Sequence, residues 1–153
     1  MKKMILIGAM AVSAGVVQAA EWWPVGGASS SVWFIDRPSI KTVSRSKIFW
    51  ARREFKQGSE NGEAKYVLIK WAAHCNSNTI QILAFLDYTA SGTVIASVSK
   101  PAAADEIAPD SIGESMYKIL CDGKEWPSKR PTSDPAGFTE TYFSVKEQIG
   151  KQP

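Results

Sequence analysis

The chain has 153 residues, of which 44% are hydrophobic and 22% charged, enough for one folded domain and too apolar for a disordered chain. Its formal charge is +3, and setting aside Lys2 and Lys3, in a segment read below as a leader, leaves 16 basic against 15 acidic residues, a net of +1. That balance excludes the strong basic excess or stripe of a nucleic-acid-binding protein.

Lys2 and Lys3 form a positive start, and Met4 to Val17 then runs without a charge as MILIGAMAVSAGVV. The run is too short and too rich in Gly and Ala for a membrane span and suits the apolar region of a signal peptide. Val17 and Ala19 fit the −3 and −1 positions of a cleavage site, so residues 1–19 are expected to leave, with cleavage after Ala20 as the alternative. No Cys stands near this site, so the lipobox for N-terminal lipid attachment is missing. The mature protein is expected in the periplasm or outside the cell, without an integral membrane span.

Beyond the leader, Glu21 to Val25 is short and aromatic, and a turn is expected over Gly26-Gly27 and Ser29 to Ser31. Val32 to Asp36 reads as a strand ended by Pro38, and Lys47 to Lys56 as the next. Gly58 to Glu63 is a polar loop with an Asn-Gly pair. Lys65 to Cys75 is the clearest strand, with Val67, Ile69, Trp71, Ala73 and Cys75 on one face at period two and Lys70 and His74 on the other. Asn76 to Asn78 makes a turn, and Thr79–Tyr88 with Thr93–Ser99 reads as a hairpin across Ser91-Gly92. Six strands in succession predict an antiparallel meander.

The period then changes. Ser111 and Glu114 form a capping-box signature before a helix from Ile112 to Cys121, and Glu114 and Lys118 stand at the favourable i, i+4 spacing. The apolar residues of that helix, with Cys121 at the edge, share one arc. Asp122-Gly123 ends it. Trp126-Pro127 to Pro135 reads as a linker, and Phe138, Tyr142, Val145 and Ile149 recur at helical spacing, although Thr139, Thr141 and Ser144 are poor helix residues. The domain is therefore expected over 20–123, with a linker and C-terminal tail over 124–153.

Cys75 and Cys121 are the only cysteines. In an oxidising compartment an even pair is read as a bridge, and with one His they cannot supply the four ligands of a structural zinc site. The bridge would close a loop of about 47 residues, for which the chain-entropy relation gives roughly 4 kcal/mol. It would staple the helix to a sheet face.

The six tryptophans read first as core and otherwise as an exposed binding face. His74 could pair with Asp87 or a Ser, but a lone His beside a strand Cys reads first as a sheet-surface residue. There is no nucleophile elbow, phosphate loop or metal-ligand cluster, so neither catalysis nor a cofactor is expected. Arg45, Lys47, Arg52, Arg53 and Lys56 form a basic cluster on one hairpin. They read either as charges guarding an edge strand or as a docking patch for an acidic partner or an anionic glycan or lipid head group.

The segment IAPDSIGESMYKILC (Ile107 to Cys121), the upstream strand Cys, VWFIDRPSI (Val32 to Ile40) and a Trp near the mature start resemble the surface-adhesin protein E family. The resemblance runs from Glu21 to Cys121. It implies an α+β fold: a six-stranded antiparallel sheet with a C-terminal helix disulfide-linked across its concave face. It also implies a non-enzymatic, adhesin-like envelope protein, since a member of the family is an outer-membrane adhesin for host extracellular-matrix proteins. The expected partner is thus a protein of the extracellular matrix or the envelope, with a second copy of the chain able to pair through the sheet edge. A soluble periplasmic assembly component, using its tail as a contact arm, is the competing expectation.

Overall fold

A computed structural model describes residues 19–58 and 62–150. Residues 1–18 of the expected leader therefore lie outside the described residues, as does the middle of the Gly58–Glu63 loop. Six strands follow the chain in simple antiparallel order: β1 (Trp22–Gly27), β2 (Ser31–Val43), β3 (Ser46–Phe55), β4 (Tyr66–His74), β5 (Thr79–Tyr88) and β6 (Val94–Val98). A two-residue strand, β7 (Asp105–Glu106), pairs with the start of β5. Two helices follow, α1 (Ile112–Leu120) and α2 (Pro135–Ile149). The predicted α+β class, meander order and helix α1 are all present.

Two local expectations are corrected. Pro38 does not end β2, which continues to Val43. The ladder to β3 is interrupted between Asp36 and Lys41, so the missing N–H of Pro38 falls in a bulge where no ladder bond is required. Gly26 and Gly27 are not a turn but the end of β1. A Cβ on Gly26 would lie 3.1 Å from Ile112 of α1, and one on Gly27 would lie 2.5 Å from the Tyr142 hydroxyl of α2. The two glycines let helices approach the same strand from opposite faces.

Period-two alternation sorts the strand residues onto those faces. On the α1 face, Val25, Ile35, Phe49, Ala51 and Ala73 are buried with Met116, Tyr117 and Ile119. The same face continues through Phe55, Val67 and Ile69 toward Trp33 and Trp71. Helix α1 begins as predicted, with the Ser111 hydroxyl accepting from the Glu114 N–H at 3.1 Å. The Glu114 carboxylate takes the Asp110 N–H at 3.1 Å rather than that of the cap residue. Cys75 and Cys121 form the disulfide, with Cα atoms 5.3 Å apart, and the Tyr117 hydroxyl donates to the Cys75 carbonyl at 2.9 Å. The staple and this hydrogen bond fix α1 to the turn after β4.

The opposite face is covered in part by α2. Val32, Phe34 and Phe143 are buried together, with Trp22, Phe138 and Tyr142 packed around them. Asp134 caps the helix by accepting from the Gly137 N–H at 3.0 Å, and Pro135 stands at its first position. Thr139 is fully buried and its hydroxyl donates to the Pro135 carbonyl at 2.8 Å, so a residue unfavourable in a helix by propensity is satisfied here.

The stretch before α2 is pinned as well. Arg37 lies 4.9 Å from the Trp23 ring and 5.6 Å from that of Trp126, and Thr132 donates its N–H to the Trp22 carbonyl at 2.8 Å. Residues 126–132 thus run past the outer edge of β1. At the other edge all five residues of β6 are exposed, and Val94, Ile95 and Val98 keep 42–46% of their surface in water.

Candidate functional site

The five cations singled out in the sequence lie on or beside β3, an interior strand paired with β2 and β4. The edge-guard reading therefore does not apply to them. Nor do they form one patch, because a strand sends successive side chains to opposite faces. Arg52 stands across from Phe34 on the α2 face, and Arg53 across from Trp33 on the α1 face.

At the Phe55 end of β3 the cations are consumed internally. Arg52 holds the Glu54 carboxylate with Nη2 at 2.7 Å and Nε at 2.8 Å, and its guanidinium lies 3.7 Å from the Tyr66 ring. Glu54 is fully buried. Burial pushes its carboxyl above the usual carboxylate range, against the opposing pull of Arg52. Arg53 donates to the Ser31 hydroxyl at 3.1 Å and lies over Phe55 at 4.5 Å and Trp33 at 5.4 Å. Burial lowers the pKa of its guanidinium. Lys56 pairs with Glu147 of α2, above the Phe143 ring. Lys65 joins Glu140 of α2 at 3.3 Å.

The other end of β3 is different. Arg45 sits exposed in the β2–β3 turn, after Ser44 at φ 54°. Lys47 donates to the Thr42 hydroxyl at 3.0 Å. Both line a pocket of about 320 Å³ whose floor includes Asn76 and the Cys75–Cys121 disulfide. The Arg45 carbonyl accepts from the Cys75 N–H at 3.1 Å, so the turn that carries the cations is tied to the staple. Among the described residues neither cation has an anionic partner. Lys41 and Lys70 add two more charges on the other face of the same end, where both line a second pocket. Sequence reasoning missed this pair because the two lysines belong to different strands. Only the placement of Lys70 off the core face hinted at it.

His74 lies on that second face, between the Ser46 hydroxyl at 2.8 Å from Nδ1 and the Gln81 amide oxygen at 3.3 Å from Nε2. Asp87, the carboxylate considered for it, stands opposite Val67 on the α1 face. The ring thus has an uncharged amide where a hydrolase would need a carboxylate to stabilise imidazolium.

A model of the surface-adhesin protein E family matches residues 22–122, from the first residue of β1 to the residue after the disulfide cysteine that caps α1. The chain belongs to the surface-adhesin protein E family. Family membership points to an exported, adhesin-like surface protein and to a binding rather than a catalytic role. Helix α2 follows the matched region. No curated protein matches the chain. Among solved structures, crystal form II of Haemophilus influenzae protein E is 16% identical to this chain. The alignment covers 69% of this chain and 98% of that one, with a TM-score of 0.47. No described helix of this family member is long and apolar enough to cross a membrane.

Proposed function

We propose that this adhesin E family protein is an exported, non-enzymatic binding module. It docks an acidic macromolecular partner, a protein of the extracellular matrix or the envelope, through the basic end of its sheet. One observation carries the reading: Arg45 and Lys47 line a pocket floored by a disulfide, without an acid among the described residues to neutralise them, while Arg52, Arg53 and Lys56 are spent within the fold. Unpaired cations on a rigid turn steer and orient an acidic partner at little ordering cost. The disulfide supports a destination in the periplasm or outside the cell. The unpaired apolar edge of β6 supports pairing with a second copy.

Fractionation of producing cells, followed by crosslinking of the wild type and of Arg45→Glu/Lys47→Glu, tests the docking surface. The wild type is expected to give an adduct that the double variant loses. Identical adducts from both proteins would sink the basic-end reading, and the fraction holding the protein reports periplasm against cell surface.

A second reading, an assembly component that contacts its partner through the C-terminal segment, is favoured by one feature. Val145 and Ile149 of α2 are 48% and 66% exposed, on a helix whose other side is anchored to the sheet. Val145→Asp/Ile149→Asp should then release a co-purifying partner while the fold persists. An unchanged pull-down would remove this reading.

A further inference from the structure

The tryptophans do not share one environment. Trp22 packs with the α2 cluster, and Trp33, Trp71 and Trp126 with the α1 face. Trp23 meets Trp126 at 5.5 Å between ring centroids. Trp50 belongs to none of the three core clusters. It is half-buried on the face away from α1, directly across the ladder from Lys70, whose Nζ lies 6.0 Å from the indole centroid.

The bulge in β2 turns this spot into a pocket. Residues 37–40 leave the β2–β3 register. The Ser39 hydroxyl fills in for the ladder, accepting from the Trp50 N–H at 2.9 Å and donating to the Asp36 carbonyl at 2.6 Å. The resulting cavity, about 330 Å³, is lined by Ser39, Lys41, Ile48, Phe49, Trp50 and Lys70. That volume is at the small end of ligand pockets, the scale of a single ring. Neither Lys41 nor Lys70 has an anionic partner among the described residues. The acid that faces Trp50 in the ladder, Asp36, has its Oδ1 occupied by the Glu21 N–H at 3.0 Å.

An indole beside two lysines matches one ligand chemistry closely. The C–H face of a pyranose carries slight positive charge and packs against the negative face of an aromatic ring. A carboxylate on that pyranose is what the two ammonium groups lack. We propose that the cavity under the β2 bulge binds an acidic pyranose of a glycan, stacked on Trp50 with its carboxylate between Lys41 and Lys70. This deepens the docking reading, on which it rests, by naming a glycan as the recognised part of the partner.

The test uses the exported full-length protein in calorimetric titrations with three probes: a hyaluronan hexasaccharide, sialyllactose and maltohexaose. Binding of the hyaluronan oligomer assigns an internal uronic acid, and binding of sialyllactose a terminal sialic acid. Either supports the proposal provided that neutral maltohexaose binds at least about tenfold more weakly, as loss of a charge-assisted contact requires. Lys41→Gln, at an exposed position, and Lys70→Gln, at a half-buried one, are each expected to weaken the acidic probe about tenfold, and Trp50→Ala to abolish it. Equal binding of the neutral probe, no binding of either acidic probe, or unchanged affinity in both lysine variants would overturn it. Arg45→Glu/Lys47→Glu separates the two readings. Sugar binding that persists while crosslinking is lost keeps both. A wild-type adduct without binding of either acidic probe sinks the glycan and leaves the docking surface, whereas an adduct that persists in Arg45→Glu/Lys47→Glu sinks the docking surface.

Discussion

The two ends of β3 carry similar charge in the sequence and opposite chemistry in the fold. At the Phe55 end, Arg52, Arg53 and Lys56 are covered by aromatic rings, a buried carboxylate and helix α2. At the turn end, exposed Arg45 and half-buried Lys47 line a pocket beside the disulfide. A run of basic residues therefore states how much charge is present, whereas packing decides how much a partner can reach. In this family member, the segment beyond the matched region does part of that deciding, since Glu147 of α2 takes up Lys56.

The comparison breaks most visibly at the consumed end. Arg52→Ala would leave Glu54 buried without its counter-charge, and a destabilisation of about 3–5 kcal/mol is expected in urea unfolding. A change below 1 kcal/mol would mean that Arg52 is as free as Arg45. Phe143→Ala should cost a similar amount, about 3–5 kcal/mol, because it empties the contact between α2 and the sheet. If instead the residues after Trp126 were an independent arm, its unfolding midpoint would not move. Removing the staple with Cys75→Ala/Cys121→Ala should cost about 2–4 kcal/mol. That variant should also weaken partner docking, because Arg45 is tied to Cys75 through its carbonyl.

A smaller effect concerns pH. The Glu54 carboxyl is raised above its ordinary value of 4.5, first by burial. The folded state therefore holds this proton more tightly than the unfolded chain, and the group's contribution favours folding at low pH. That contribution is lost as pH rises from 4.5 through the raised pKa. Relative to Glu54→Gln, the wild type should gain stability as pH falls through that window. An opposite slope would show that Arg52, rather than burial, governs the carboxyl.

Much of the fold was legible. The alternation of Val67, Ile69, Trp71 and Ala73, the Ser111–Glu114 start and the pair of cysteines announced the sheet, the helix and the bridge, since each is a local pattern or a forced pairing. Helix α2 was only half legible. The spacing of Phe138, Tyr142, Val145 and Ile149 marked a helix, but Val145 and Ile149 face outward, while the buried positions are Pro135, Thr139 and Phe143. Burial of Thr139 depends on a hydroxyl bond to the preceding turn, which propensity does not register. The site was the least legible part. The five cations were visible, but their division followed from strand alternation and from Glu54 and Glu147, and the pocket beside Trp50 exists because Pro38 interrupts a ladder without ending the strand.

On the proposed reading, the turn end of β3, and not net charge, recruits an acidic partner. The most direct measurement is the affinity of the exported protein for immobilised poly-L-glutamate at low salt. Three proteins are compared: wild type, Arg45→Glu/Lys47→Glu, and Lys129→Glu/Arg130→Glu, which changes net charge equally at two exposed residues before α2. The wild type and the second variant are expected to bind alike, and Arg45→Glu/Lys47→Glu about tenfold or more weakly, as like charges set against each other require. Equal loss in both variants, or none in Arg45→Glu/Lys47→Glu, would contradict the account.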